Sequence, residues 1–152
     1  MNLNKSTRYA LYAAMEMARG ESQVTVVQVA KRYRIPETVL AKVFQQLVRS
    51  GIAIGTRGTG GGYRLVRPSS TVTVLDVLNA FEPYRSPDQC LLADRAEAEC
   101  ADFSLCRLRS LFDEVDEQAR ATFASVSLET LVGRAAGGYD AERIGGAEDP
   151  SR

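Results

Sequence analysis

Three cysteines, Cys90, Cys100 and Cys106, lie within seventeen residues of one another at the spacing C-x9-C-x5-C, and the chain has no others. Simple burial would explain them, because a free cysteine often packs as a small apolar residue. The segment is too polar for a core, however, since four carboxylates stand among the thiols: Asp94, Glu97, Glu99 and Asp102. The pattern therefore favours thiolate ligands for a metal or an iron–sulfur cluster.

The residue types disfavour other chemistries. Structural zinc sites are closed by four cysteine or histidine ligands, whereas this chain has three cysteines and no histidine. The missing histidine also removes the commonest general base, and no nucleophile–base pair stands out, so an enzyme is not expected. The first residues lack a signal-peptide apolar region, and no apolar run reaches the roughly eighteen residues of a membrane span. We therefore expect a cytoplasmic protein with reduced thiols.

Charge is distributed unevenly along the 152 residues, although the net charge is zero. Residues 1–68 contain eleven Lys or Arg and three acids, a net +8, while residues 69–152 contain eight Lys or Arg and sixteen acids, a net −8. A basic first half favours a polyanionic partner, although uneven surface charge without a partner would give the same pattern.

The apolar spacing predicts two short helices before residue 34, which would support the basic surface. The first covers residues 5–18 and has an apolar face formed by Tyr9, Tyr12, Ala13 and Met17. The second begins at a capping box formed by Thr25 and Gln28.

A third helix is predicted from Glu37, after Pro36, to a stop at Gly51. Its buried face is formed by Leu40, Val43, Phe44 and Leu47. Its outward face is polar and basic, with Thr38, Lys42, Gln45, Gln46 and Arg49. Two short helices joined by a tight turn, with the second polar outside, are typical of a helix-turn-helix motif, although a helical hairpin in a bundle would look similar.

A β-hairpin is predicted next, on either side of a glycine-rich loop at residues 58–62. Its strand residues are Ile52 and Ile54 on one side and Tyr63 and Leu65 on the other. A hairpin directly after a recognition helix is a wing, whose basic tip can contact a minor groove while the helix enters the major groove. The glycines fit neither a dinucleotide fingerprint nor a phosphate loop. We predict that eight residues contact DNA: Thr38, Lys42, Gln45, Arg49, Arg57, Thr59, Gly60 and Arg64.

Two further helices flank the cysteines. The first is capped by Thr73 and Asp76, ends at Pro83, and has Leu75, Leu78 and Phe81 as its apolar residues. The second is long, and one apolar stripe runs along it: Leu108, Leu111, Phe112, Val115, Ala119, Phe123 and Val126. A helix of about twenty residues spans about 30 Å, so we expect it to pair with a second copy rather than to fold back on its own domain.

The expected fold is mainly α with a small β-hairpin, namely a winged helix-turn-helix domain plus a long C-terminal dimerisation helix. We divide the chain into a DNA-binding domain at 1–83, a cysteine-bearing sensor loop at 84–106, the dimerisation helix with a return segment at 107–132, and an expected disordered tail at 133–152.

Several motifs resemble, in their order, the Rrf-two family of bacterial transcription regulators, which includes the IscR-like and NsrR-like sensors. These motifs are TRYAL, IPETVLAKVFQQLVRSGI, RGTGGGYRL, TVLDVLNAFE, the cysteine triplet and the long helix, over about residues 1–132. The resemblance implies a homodimer that binds a palindromic operator, usually as a repressor. It also implies an iron–sulfur cluster, [2Fe–2S] or [4Fe–4S], held by three cysteines per subunit.

Some site residues follow from the resemblance. Thr38 and Lys42 match positions that contact bases or backbone, and Arg57 matches the minor-groove arginine of the wing. Ala41 departs from a glutamate that filters operator choice in some members, and Thr59 stands where the wing usually has proline.

The ligand set also departs from the family pattern. The gap between the first two cysteines is longer than in relatives, and Arg109 and Arg8 stand at the two usual positions of a fourth ligand. A guanidinium has no lone pair to donate to iron. The remaining candidates are an external ligand, an open iron site or one of four carboxylates: Asp94, Glu99, Asp102 and Glu16.

Two other functions remain open on the sequence. The first is a cluster-free regulator whose cysteines respond to thiol oxidation. The second is a scaffold that uses the wing fold for protein contacts without binding DNA, which the basic first half argues against.

Overall fold

The computed structural model describes residues 3–20, 23–58, 60–82 and 106–136. Within these ranges the chain forms six helices and a two-stranded antiparallel sheet. The helices are α1 (Lys5–Arg19), α2 (Val26–Tyr33), α3 (Glu37–Arg49), α4 (Val74–Phe81), α5 (Arg107–Ser125) and α6 (Leu128–Ala136). The strands are β1 (Ala53–Thr56) and β2 (Gly62–Leu65). Of these helices, none has the length and apolarity that crossing a bilayer requires.

The first three helices form as their sequence predicts. Both sides of the capping box at Thr25 and Gln28 are made, and the predicted buried face of α3 is fully or nearly fully buried. Gly51 adopts the left-handed backbone at φ 73° that a helix C-terminus favours. Tyr12, one of the residues at apolar helical spacing, is 43% exposed, and its ring lies 4.7 Å from that of Tyr33. Ala10, Ala13 and Ala14 of α1 are fully buried, and α1 packs on α3.

The hairpin has the predicted strands with a shifted apolar pattern. Ile54 pairs with Arg64 and is 42% exposed, whereas Ile52, which precedes β1, is buried together with Ala53. The register turns Ile54 outward because the buried position passes to Ala53, opposite Leu65.

Helix α4 begins at Thr73 and Asp76, as predicted, and these two residues form a capping box. Its buried residues are Val74, Val77 and Leu78, while the apolar residues Leu75 and Phe81 are half-buried.

The segment after α5 returns to the N-terminal domain and completes its core. Leu128 is fully buried, and its amide donates to the carbonyl of Val72 at 2.8 Å. The amide of Val74 donates to the carbonyl of Val126 at 2.9 Å. Helix α6 then packs on α1 and extends to Ala136, within the range expected to be a disordered tail. The winged domain is therefore built from residues at both ends of the described chain.

Candidate nucleic-acid interface

The outward face of α3 carries four of the residues predicted to contact DNA. Thr38, Lys42, Gln45 and Arg49 are all exposed, on the side of the helix opposite its buried stripe. Side chains at i, i+4, i+7 and i+11 share one face of an α-helix, so these four form a continuous row. Gln46 departs from its predicted outward position: it is half-buried, and its amide donates to the carbonyl of Ala80 at 3.1 Å.

The wing, formed by β1, β2 and the loop between them, is attached to the start of α2. Val24 and Tyr63 exchange two backbone hydrogen bonds, each 2.8 Å long, as an antiparallel bridge. The Tyr63 ring also stacks on Phe44 of α3, with ring centroids 4.5 Å apart. These contacts fix the wing relative to the recognition helix. Sequence reasoning missed them because Val24 is a single bridge residue with no strand periodicity around it.

Glycines permit this tight wing. A Cβ on Gly61 would lie 2.5 Å from the carbonyl oxygen of Thr56, and a Cβ on Gly62 would lie 2.9 Å from that of Val24. Gly58 and Gly60 have φ of 105° and 85°, which glycine adopts without strain. At Gly61 and Gly62 the chain therefore lies close to the protein's own backbone.

A groove of about 530 Å³ lies between α3 and the wing. Gln45 and Arg49 line one wall, and Thr56, Arg57 and Gly58 line the other. The fold thus brings together predicted DNA contacts that lie up to twelve positions apart in the sequence.

The other predicted DNA contacts that the structure describes do not line this groove. Thr38 and Lys42 line a second groove, on the other flank of α3, together with Lys5 at the start of α1. Gly60 and Arg64 are exposed on the wing, and Thr59 lies outside the described residues. Four exposed cationic residues therefore lie on α3 and the wing: Lys42, Arg49, Arg57 and Arg64.

Of the predicted metal ligands, the structure describes Cys106, which is half-buried and is the N-cap of α5. Its carbonyl accepts hydrogen bonds from the amide and the hydroxyl of Ser110, at 3.1 and 3.3 Å. A thiolate here is compatible with a metal cluster, because the N-terminus of a helix favours negative charge. Cys90 and Cys100 lie outside the described residues. Within the described ranges, no three His, Cys, Asp or Glu side chains are grouped to hold a metal ion.

One candidate for the fourth ligand is already engaged elsewhere. The carboxylate of Glu16 accepts hydrogen bonds from the Tyr33 hydroxyl and the Arg19 guanidinium, both at 2.6 Å, and lies 3.4 Å from Arg32. Burial raises the pKa of Tyr33, and the hydrogen bond to Glu16 raises it further. Glu16 therefore joins α1 to α2 and is a poor candidate for iron. Asp94, Glu99 and Asp102 lie outside the described residues.

Comparison with known proteins gives consistent matches over most of the chain. A family model described as "Rrf2: Iron-dependent Transcriptional regulator" matches residues 3–134. The putative HTH-type transcriptional regulator BadM of Rhodopseudomonas palustris is 38% identical over 134 residues, which are 87% of this chain and 81% of that protein. The HTH-type transcriptional regulator IscR of Xenorhabdus nematophila is 28% identical over 134 residues, covering 87% and 79% of the two chains.

Solved structures show the same fold. CymR (YrzC), described as the global cysteine regulator of B. subtilis, superposes with a TM-score of 0.64 at 25% identity, over 88% of this chain and 98% of that one. T. potens IscR superposes with a TM-score of 0.68 at 20% identity, over 98% and 94% of the two chains. These relatives and neighbours are described as regulators rather than as enzymes.

Proposed function

The chain belongs to the Rrf2 family of transcriptional regulators, and from that premise we propose that it is a homodimeric repressor of a palindromic operator. An iron–sulfur cluster on Cys90, Cys100 and Cys106 controls its affinity for that operator.

The DNA-binding part of this proposal rests on one observation: Gln45 and Arg49 of α3 face Arg57 of the wing across a single groove. Glutamine and arginine side chains make bidentate hydrogen bonds to adenine and guanine edges in the major groove. Arginine also enters narrow minor grooves, where the potential is most negative. We therefore place α3 in the major groove and the wing tip on the adjoining minor groove.

The dimer is supported by α5. Four large apolar side chains on its N-terminal half are 47–61% exposed: Leu108, Leu111, Phe112 and Val115. Their spacing puts them on one stripe of the helix. A second copy of α5 would cover this stripe with an identical one, as a twofold interface requires. The C-terminal half of the stripe differs, since Ala119 and Phe123 are half-buried.

The sensor part is supported by the position of Cys106. It lies where the sensor loop joins α5, at a helix end that favours anionic groups. A bound cluster would supply a labile iron centre that reacts with nitric oxide, oxygen or superoxide. The protein would hold that centre beside the dimer helix, so that loss or oxidation of the cluster changes the start of α5.

The experiment is an anaerobic reconstitution with iron and sulfide, followed by a visible spectrum and by iron and sulfide counts. We expect a coloured wild type and a colourless Cys106→Ser variant. Serine is a good N-cap residue, so the variant should keep its helix content by circular dichroism, and loss of colour would then reflect loss of the ligand. A colourless wild type after reconstitution would overturn the cluster.

A thiol-redox regulator without a cluster is the second candidate. The engagement of Glu16 by Tyr33 and Arg19 favours it, because one source of a fourth ligand is removed. If this second function is correct, the DNA affinity of the iron-free protein should differ between the dithiothreitol-reduced and the peroxide-oxidised forms. If the cluster proposal is correct, the DNA affinity should instead change with the iron content of the protein.

A further inference from the structure

Residues 80–82, at the C-terminal end of α4, are held to the start of α1 by hydrogen bonds to the carboxylate of Glu82. The Glu82 Oε1 atom accepts a hydrogen bond from the backbone amide of Asn4 at 3.0 Å and another from the Thr7 hydroxyl at 2.6 Å. The side-chain amide of Asn4 also donates to the carbonyl of Phe81 at 3.2 Å. A carboxylate therefore occupies the N-terminal end of α1, where the amides and the helix dipole favour negative charge.

Burial and charge make this contact specific. Thr7 is fully buried and is the one buried polar residue in the part of the chain that the structure describes. The hydrogen bond from Thr7, followed by that from the Asn4 amide, lowers the pKa of Glu82. Hydrogen bonds to an ionised acceptor are about twice as strong as neutral ones. Without Glu82, the Thr7 hydroxyl would be buried without this partner.

The same turn contacts the recognition helix. Ala80 lies two residues before Glu82, and its carbonyl accepts the side-chain amide of Gln46. Gln46 is adjacent to Gln45, which faces the groove between α3 and the wing. A shift of residues 80–82 would therefore act on the orientation of α3 through this hydrogen bond.

The turn also adjoins the sensor loop. Glu82 is the last residue described before that loop, and Cys90 follows eight residues later. Glu82 is the C-cap of α4 and lies nearer to Cys90 along the chain than any residue of α4 does.

We propose that Glu82 is a positioning residue. Its hydrogen bonds to Asn4 and Thr7 fix residues 80–82, and these residues orient α3 through the hydrogen bond from Gln46. Loss of the cluster, or oxidation of the cysteines, makes or breaks these hydrogen bonds and so changes the orientation of the exposed face of α3. This inference rests on the proposed function, since it needs a signal at the cysteines.

The test compares the DNA affinity of one protein in two states: loaded with iron and sulfide, and metal-free. If loading with iron does not change the DNA affinity, the comparison is made instead between the protein reduced with dithiothreitol and the protein oxidised with peroxide. The probe is a duplex selected by the wild type from a random pool. The ratio of the two dissociation constants measures the coupling, and typical allosteric ratios are about 5 to 150.

Thr7→Val removes the hydroxyl and keeps the shape, whereas Thr7→Ser keeps the hydroxyl. We expect Thr7→Val to lower the ratio toward one, by about fivefold or more given the usual range of coupling, and Thr7→Ser to retain it. Glu82→Ala gives the same test from a less buried position, if Thr7→Val does not fold. Arg67→Gln is the control, because it removes a 3.1 Å ion pair to Asp76 at the other end of α4.

The outcomes are distinct. A wild-type ratio above one that Thr7→Val and Glu82→Ala both leave unchanged refutes the role of Glu82 and spares the proposed function. An equal fall in Arg67→Gln also refutes it, since general loosening of α4 would then suffice. A wild-type ratio of one for both signals refutes control by the cysteines and, with it, this inference.

Discussion

Replacing Gly62 by alanine tests whether the wing is positioned by its bridge to Val24. The new Cβ would lie 2.9 Å from the Val24 carbonyl oxygen and 3.2 Å from its carbonyl carbon. Both are backbone atoms, so no side chain can rotate away. Relief requires β2 and residue 24 to separate, which lengthens the two 2.8 Å hydrogen bonds between Val24 and Tyr63.

The magnitude follows from those bonds. Each backbone hydrogen bond contributes about 0.5–1.5 kcal/mol, so losing both costs about 1–3 kcal/mol. Alanine offsets about 0.4–1 kcal/mol of this cost, because it lowers the conformational entropy of the unfolded chain. Taking the midpoints of these ranges, we expect a net loss of about 1.3 kcal/mol in the free energy of unfolding. Displacing Arg57 together with the wing should also weaken DNA binding by about tenfold, which corresponds to about 1.4 kcal/mol.

Urea denaturation followed by circular dichroism measures the first effect, and fluorescence anisotropy with the selected duplex measures the second. Gly133→Ala is the control, because nothing lies within 4 Å of its Cβ and alanine favours the helix. Wild-type stability and affinity in Gly62→Ala would show that the bridge does not position the wing.

Three other predictions follow from the same structure. Arg57→Ala should weaken binding to the selected duplex, relax A·T preference beside the wing, and reduce the salt slope by about one; unchanged affinity would exclude Arg57 from the interface. Phe112→Glu should give monomers in sedimentation equilibrium, whereas Gln118→Glu should not; a dimeric Phe112→Glu would move the interface off the apolar stripe. The pKa of Glu82 is lowered from its ordinary 4.5, so its contribution to stability is present above that value and is lost as pH falls through the lowered pKa. The stability difference between wild type and Glu82→Gln should therefore be largest near neutral pH and shrink below 4.5; a pH-independent difference would contradict this.

The sequence predicted features that depend on residues close together in the chain. Three predictions follow from spacings of three or four residues and were confirmed: the capping box at Thr25, the start of α4 at Thr73 and Asp76, and the buried stripe of α3. The family and the fold class were confirmed as well, since the order of these local motifs is itself distinctive.

Long-range contacts could not be predicted in this way. Gln46 and Gln45 are adjacent and chemically identical, and only the packing of α4 turns Gln46 inward. Ile54 lies in the strand as predicted, but alternation alone does not distinguish the register that exposes it and buries Ala53. The bond between Thr7 and Glu82 spans 75 residues and leaves no periodic pattern. The cluster ligands remain a prediction, because Cys90 and Cys100 lie outside the described residues.

The buried position of Leu128 has a consequence for the order of synthesis. The ribosome makes the recognition helix and the wing first, but Val72 and α1 lack their final packing partner until Leu128 emerges. By then all three cysteines have also been made, so we expect the DNA-binding domain to be completed only after them. A chain that ends at residue 82 should therefore lose the sharp, cooperative urea transition of the full chain. A transition of equal sharpness would show that residues 1–82 fold without the later residues.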